Sequence, residues 1–323
     1  MKKTIFILTL LLPFGLLLAQ PDNFSTVNQF GSGNAATVDQ IGDLNESHVL
    51  TIGDNNEPSF VTQLGVGDNN SLATQFGNGN WVDVDQENDY TGNYDAANSW
   101  VFQKGNGNTA TVDQIVAPPG MFIQGGPLNS SITQTGNRND AIVDQEGLWD
   151  NAFITQVGND GNAMQYQGTS EYYTGLAYIN DAFIFQGPNT DGEATAEQDQ
   201  VGLQNHASIL QDAWNGSEAF QMQINAKGTI TTHRGVNVNV ATIMQHGGGA
   251  NEGYQVQFYN NMGAAPNVAF LHQWGKRNFS LEYQVGGDNL SLVNQFGNDN
   301  YNNVYQNANG VSDPTFLEAL PYE

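Results

Sequence analysis

The stretch NLSLVNQFGNDN, residues 289–300, begins and ends on Asn, and its reading decides the fold. Asn278 lies 11 residues before Asn289, and Asn300 lies 11 after it. Between the amides, alternate residues read Asn289, Ser291, Val293, Gln295. That order of amide, small, aliphatic, amide returns as Asn34, Ala36, Val38, Gln40, as Asn139, Ala141, Val143, Gln145, and as Asn205, Ala207, Ile209, Gln211. The intervening residues, such as Ala35, Thr37 and Asp39, are mixed and polar. Strict alternation over about seven residues marks a strand with one buried face.

The unit is Asn-x5-Gln-x-Gly-x-x-Asn, in which the last Asn opens the next unit. Openers stand 11 apart at Asn23, Asn34, Asn45 and Asn56, and again at Asn267, Asn278, Asn289 and Asn300. Gly two places after the Gln supplies the positive φ of a tight turn. The turn glycines are Gly31, Gly42, Gly53, Gly77, Gly105, Gly136, Gly202, Gly275, Gly286 and Gly297. Two units make one rung of about 22 residues, and rungs stack about 4.8 Å apart. The expected fold is all-β, a two-sheet cross-β solenoid over residues 20–310, about eleven rungs and about 50 Å long. Segments near 87–98, 115–128, 168–179, 187–197 and 225–238 break the period and are rich in Gly, Pro and Thr. They read as loops leaving the corners of the stack.

An amide side chain both donates and accepts, so stacked copies satisfy one another and fix the register. Left unpaired, such a buried group costs about 1–3 kcal/mol. The expected self-assembly ladder comprises Asn23, Gln29, Asn34, Gln40, Asn45, Asn69, Gln75, Asn108, Gln114, Asn139 and Gln145. It continues through Asn205, Gln211, Asn267, Gln273, Asn278, Gln284, Asn289, Gln295, Asn300 and Gln306. The most regular units are terminal, which is the reverse of capping, and open strand edges recruit further strands. End-to-end polymerisation is the expectation.

Lys2 and Lys3 precede the apolar run Ile5–Leu18, which ends at Ala19-Gln20, the layout of a secretory signal peptide over residues 1–19. No second run is long enough to span a membrane. There is no Cys, hence no disulfide framework and no thiolate metal site. The formal charge of −25 becomes −27 once the two lysines leave, which argues against nucleic acid or anionic lipid as partners.

The unit resembles the curlin repeat. NAATVDQIGDLN (34–45) fits it position by position, as do NTATVDQ (108–114) and NDAIVDQEG (139–147), and the likeness extends over most of 23–306. The resemblance implies a secreted functional amyloid, exported unfolded across a Gram-negative outer membrane and polymerising on the cell surface into adhesive biofilm fibres. Its implied partners are further copies of itself, other curlin-type subunits, an outer-membrane secretion pore and accessory export factors. The chain departs from the pattern in its length, its insertions and degraded units such as Thr51 in a Gln position. Main subunit, nucleator or minor component all stay open, as does a monomeric solenoid that binds carbohydrate or a surface.

Other chemistry finds little footing. Calcium-binding nonapeptide solenoids need a period of nine and Asp after the glycines, where this chain has 11 and Asn. Asp39, Asp85, Asp113 and Asp144 share the Val-Asp-Gln position and should point outward as a solvated acidic face. His48, His206, His233, His246 and His272 lack metal-ligand spacing, and no hydrolase, zincin or phosphate-loop motif occurs. Only Lys104, Arg138, Lys227, Arg234, Lys276 and Arg277 remain as cations after residue 19. The expectation is a non-enzyme with no cofactor and no metal. Between Gln and Gly an apolar residue recurs (Phe30, Ile41, Ile52, Leu64, Phe76, Ile115, Val157, Trp274, Val285, Phe296), either a sticky outer stripe or packing on neighbouring rungs. The tail 311–323 lacks the repeat.

Overall fold

In the computed structural model, the structure describes residues 23–66, 68–88, 96–116, 127–147, 149–168, 180–187, 194–202, 205–214, 216–225, 239–259 and 267–307. The expected leader 1–19, the tail 311–323 and the interiors of the five expected insertions lie outside them. The ends of those insertions are strand, however. Residues 87–88, 97–98, 115–116, 128, 168, 195–197 and 225 all belong to ladders, so the insertions are shorter than the loss of period suggested.

Among the described residues, twenty-two strands form two sheets of eleven. The first sheet holds β1 (Phe24–Phe30), β3 (Glu46–Ile52), β5 (Asn70–Phe76), β7 (Ala97–Lys104), β9 (Leu128–Asn137), β11 (Asn151–Asn159), β13 (Asp181–Gln186), β15 (Asn205–Trp214), β17 (Asn239–Gly248), β19 (Val268–Lys276) and β21 (Leu290–Asn298). The chain alternates between the sheets. The second holds β2 (Ala36–Asp43), β4 (Ser59–Val66), β6 (Trp81–Asn88), β8 (Thr109–Val116), β10 (Asp140–Gly147), β12 (Asn162–Gly168), β14 (Thr195–Gly202), β16 (Glu218–Asn225), β18 (Glu252–Tyr259), β20 (Phe279–Val285) and β22 (Tyr301–Asn307). Each odd strand and the even strand after it make one rung, rung 1 to rung 11. Successive strands within a sheet are parallel and in register, as in Asn129↔Asn151, Ile132↔Ile154 and Gln134↔Gln156. The architecture is the two-sheet β-solenoid.

The core is thin because it is made of small residues facing β-branched ones. In the first sheet Val49, Ala73, Val101, Ile132, Ile154, Ile184, Ile209, Ile243 and Leu271 form one buried column. Ala152, Ala182, Ala207, Ala241 and Ala269 form part of another beside it. Like side chains stacked at the strand spacing leave few voids. In the second sheet the rule of an aliphatic third position fails. Val38, Val61, Val84, Val112 and Val143 are followed by Gln165, Gln198, Gln221, Gln255 and Glu282, all five buried.

Many of the described corners turn through two left-handed residues, where the sequence pointed to one. Gly31 and Gly33, Gly53 and Asn55, Gly105 and Gly107, Gly136 and Arg138, and Gly297 and Asp299 are such pairs. The first member must be Gly for a reason beyond φ. A Cβ on Gly105 would lie 1.6 Å from the Gly136 carbonyl oxygen one rung on, and one on Gly53 would lie 1.8 Å from that of Gly77. The second member faces outward and admits even Leu44 (φ 62°) and Trp149 (φ 66°). Gly42, Gly77, Gly275 and Gly286 share the left-handed conformation, whereas Gly202 closes β14 opposite Asn225.

Candidate functional site: the amide ladders and the open ends

Period-two alternation aims each repeat Gln into the core, where its amide meets the copies above and below. In the second sheet the ladder runs unbroken from Gln40 through Gln63, Gln86, Gln114, Gln145, Gln167, Gln200, Gln223, Gln257 and Gln284 to Gln306. Its links are 2.7–3.0 Å, each an Nε2 donating to the next rung's Oε1. The second N–H of each amide crosses to the facing sheet. Gln114 reaches the Asn98 carbonyl at 3.2 Å and Gln145 the Asn129 carbonyl at 3.2 Å. One side chain therefore holds register along the stack and joins the two sheets across it.

The first sheet carries the same device from Gln75 through Gln103, Gln134, Gln156, Gln186, Gln211, Gln245 and Gln273 to Gln295, at 2.8–3.1 Å. At its start Thr51, the degraded unit, takes the amide's place and donates its hydroxyl to Gln75 Oε1 at 3.2 Å. Gln29 thus faces Thr51 rather than another amide, and it is exposed.

Asn occupies the corners in two columns. Within rungs, Asn34, Asn56, Asn80, Asn108 and Asn139 stack; Asn139 Nδ2 donates to Asn108 Oδ1 at 3.1 Å and to the Gly158 carbonyl at 2.9 Å. Gly161, Ala194 and Ser217 then interrupt the column, and Asn251, Asn278 and Asn300 resume it. Between rungs, Asn23 pairs with Asn45 at 3.2 Å, Asn69 accepts from the Ala97 backbone at 3.2 Å, and Asn180, Asn205 and Asn239 stack. Asn289 donates to Asn267 at 2.9 Å. Ala97 and Leu128 take the Asn place in this column and pack with Val116 in a small apolar cluster. Asp150 takes it in the next rung. Burial pushes its carboxyl up to about 7, against the pull of Asn180.

A third ladder escaped the sequence reading. Gln165, Gln198, Gln221 and Gln255 link at 2.9–3.0 Å, and Gln255 donates to Glu282 at 3.2 Å. Its signal was present as Gln-x-Gln at 165/167, 198/200, 221/223 and 255/257. Both ends of this ladder are imperfect. Gln165 Oε1 and Glu282 Oε2 make no hydrogen bond among the described residues. Burial raises the Glu282 carboxyl to about 6, while the neighbouring Ser291 hydroxyl and the Gln255 amide pull it down.

The outer face of the second sheet stacks Asp85, Asp113 and Asp144 in register. Partial burial and then the charges of Asp144 and Asp85 raise Asp113 to about 6. The same face turns aromatic toward rung 11, where Phe279–Tyr301 and Tyr283–Tyr305 stack at 5.0 and 5.5 Å. The stripe residues Phe30, Ile41, Ile115, Trp274 and Phe296 are exposed, but Lys104, Thr135 and Asp212 interrupt the column on the first sheet.

Residues 136–164 match the family model of the curlin associated repeat. This segment is a curlin-type repeat. The matched segment spans β10, β11 and their corners, where both Gln ladders and the within-rung Asn column pass through consecutive units. Comparison with curated proteins finds no match. The curlin repeat here is thus a strand and a corner, with Gln inward, Gly at the bend and Asn at the turn.

Proposed function

We propose that the mature chain is a structural subunit that stacks end on end into cell-surface cross-β fibres serving adhesion and biofilm matrix, with no catalytic role. The apolar leader with Lys2 and Lys3 supports export, and the curlin repeat supports a fibre subunit of the curli type. One observation carries the reading. Rung 1 opens with FSTVNQFGSGN (24–34) and rung 11 with LSLVNQFGNDN (290–300), identical at seven of eleven positions. A second molecule seated on rung 11 would set Ser25 on Ser291, Val27 on Val293, Gln29 on Gln295, Asn34 on Asn300 and Gln40 on Gln306. Those are the pairs that hold the interior together.

The ends are open as well as matched. Val27 is 44% exposed, whereas Val49, one rung inward in the same column, is 1% exposed. Phe24 and Phe30 at one end, with Leu290 and Tyr301 at the other, are also exposed. Covering such edges is the favourable step in strand addition.

Val27→Asp tests this. It places a carboxylate in the seam of rung 1 but leaves rung 11 intact, so the variant should add through its rung 11 to the rung-1 end of a wild-type fibre and stop growth there. Seeded thioflavin-T kinetics should show wild type elongating, the variant alone inert, and substoichiometric variant arresting wild type at that tip. Gln284, Gln295 and Gln306 replaced together by Ala should lengthen the lag. A wild-type protein that stays monomeric and never seeds would turn the reading to a monomeric surface-binding solenoid.

A further inference from the structure

The outer face of the first sheet carries a feature that stacking does not require. Across rungs 2–6 a depression of about 510 Å³ runs along the solenoid axis, bounded by Glu46 and His48 at one end and Phe153 at the other. That volume is in the range of ordinary ligand sites. Trp100 and Phe153 project from alternate rungs on one side, 58% and 42% exposed, with the small Ser131 between them. Two rungs separate the rings by about 10 Å.

The other side is a column of outward amides. Asn98 donates to Asn129 at 3.1 Å and Asn129 to Asn151 at 2.9 Å. Each link uses one N–H and one oxygen lone pair, so every amide keeps one donor and one acceptor for a ligand.

We propose that this groove binds a neutral, linear β-linked glycan laid along the solenoid axis. Such a chain is a ribbon with apolar C–H faces and hydroxyl edges. Its faces would stack on Trp100 and Phe153, one disaccharide apart, and its edge hydroxyls would pair with Asn98, Asn129 and Ser131. Aromatic platforms beside a few placed polar groups are what such recognition needs. The lining holds no Lys or Arg, and its one carboxylate, Glu46, is engaged by His48 at 2.7 Å. A charged polymer of either sign finds no counter-charge there. Every subunit in a fibre would present the groove, because it lies on interior rungs.

Titration calorimetry of the purified mature protein with cellohexaose tests the proposal, with cellobiose and the α-linked, coiled maltohexaose as comparisons. Wild type should bind cellohexaose, and cellobiose, which cannot reach both rings, should bind about tenfold more weakly. Trp100→Ala should lose about tenfold in affinity and Phe153→Ala about fivefold. Ser131→Arg should block the groove while both rings remain, and it serves if a ring variant fails to fold. Fibre growth should be unchanged in all three, which separates this test from that of assembly. Absent binding by wild type, equal binding by wild type and Ser131→Arg, or preference for maltohexaose would each overturn it.

Discussion

One column of the second sheet contains two answers to the same packing problem. In rungs 1–5 it is Val38, Val61, Val84, Val112 and Val143; in rungs 6–10 it is Gln165, Gln198, Gln221, Gln255 and Glu282. Both halves are buried apart from the half-buried Val38 in rung 1, and the backbone continues through the change without loss of register. Polarity is therefore not what the site selects. It selects likeness between neighbours, because a valine packs on a valine and an amide pairs with an amide. The two atoms left without hydrogen bonds, Gln165 Oε1 and Glu282 Oε2, sit where the amide run begins and ends.

The sharpest way to break this comparison is to put one wrong residue in each half. Gln198→Val orphans groups on Gln165 and Gln221 and should cost about 3 kcal/mol in urea unfolding. Changing all five positions of the amide run to Val should instead leave stability within about 2 kcal/mol of wild type, since no group is orphaned. Strictly additive costs would refute the likeness rule. Val112→Gln, an amide alone among valines, should cost about 2 kcal/mol.

Glu282→Gln completes the amide run and should have a smaller effect that depends on pH. The folded carboxyl titrates near 6, above its ordinary value of 4.5. A raised carboxyl binds its proton more tightly in the folded state, so wild-type stability is full below pH 4.5 and falls as pH rises through 6. The variant should gain about 1 kcal/mol at pH 8 and nothing at pH 4. Outside the apolar half, Asp113→Asn should follow the same sign with a gain of about 0.5 kcal/mol at pH 8, because solvent screens the Asp85–Asp113–Asp144 stack. A loss at pH 8 from either variant would contradict the assigned direction.

The repeat, the two-sheet solenoid and the inward Gln at every eleventh place were legible because each follows from spacing alone. The third ladder was not, because Gln165 or Gln198 in isolation looks like any exposed polar residue of a strand. Only its vertical neighbour, 22 to 34 residues away, reveals that it can be buried. The second left-handed position was hidden for the opposite reason: Leu44, Arg138 and Trp149 share no chemistry, only a place in the corner. Insertion bounds blurred because strands such as β6 and β14 continue past the point where the motif decays.

The one-way donation along the Gln ladders gives the molecule an arrow. Gln40 shows a lone pair at the first rung, and Gln306, with one N–H spent on the Leu290 carbonyl at 2.7 Å, shows the other N–H at the last. Two copies meeting first rung to first rung would oppose oxygen to oxygen, and last to last would crowd hydrogen on hydrogen. A filament grown from this unit is consequently a vector: its tips are chemically distinct, it does not reverse direction partway, and an inhibitor shaped for one tip leaves the other alone.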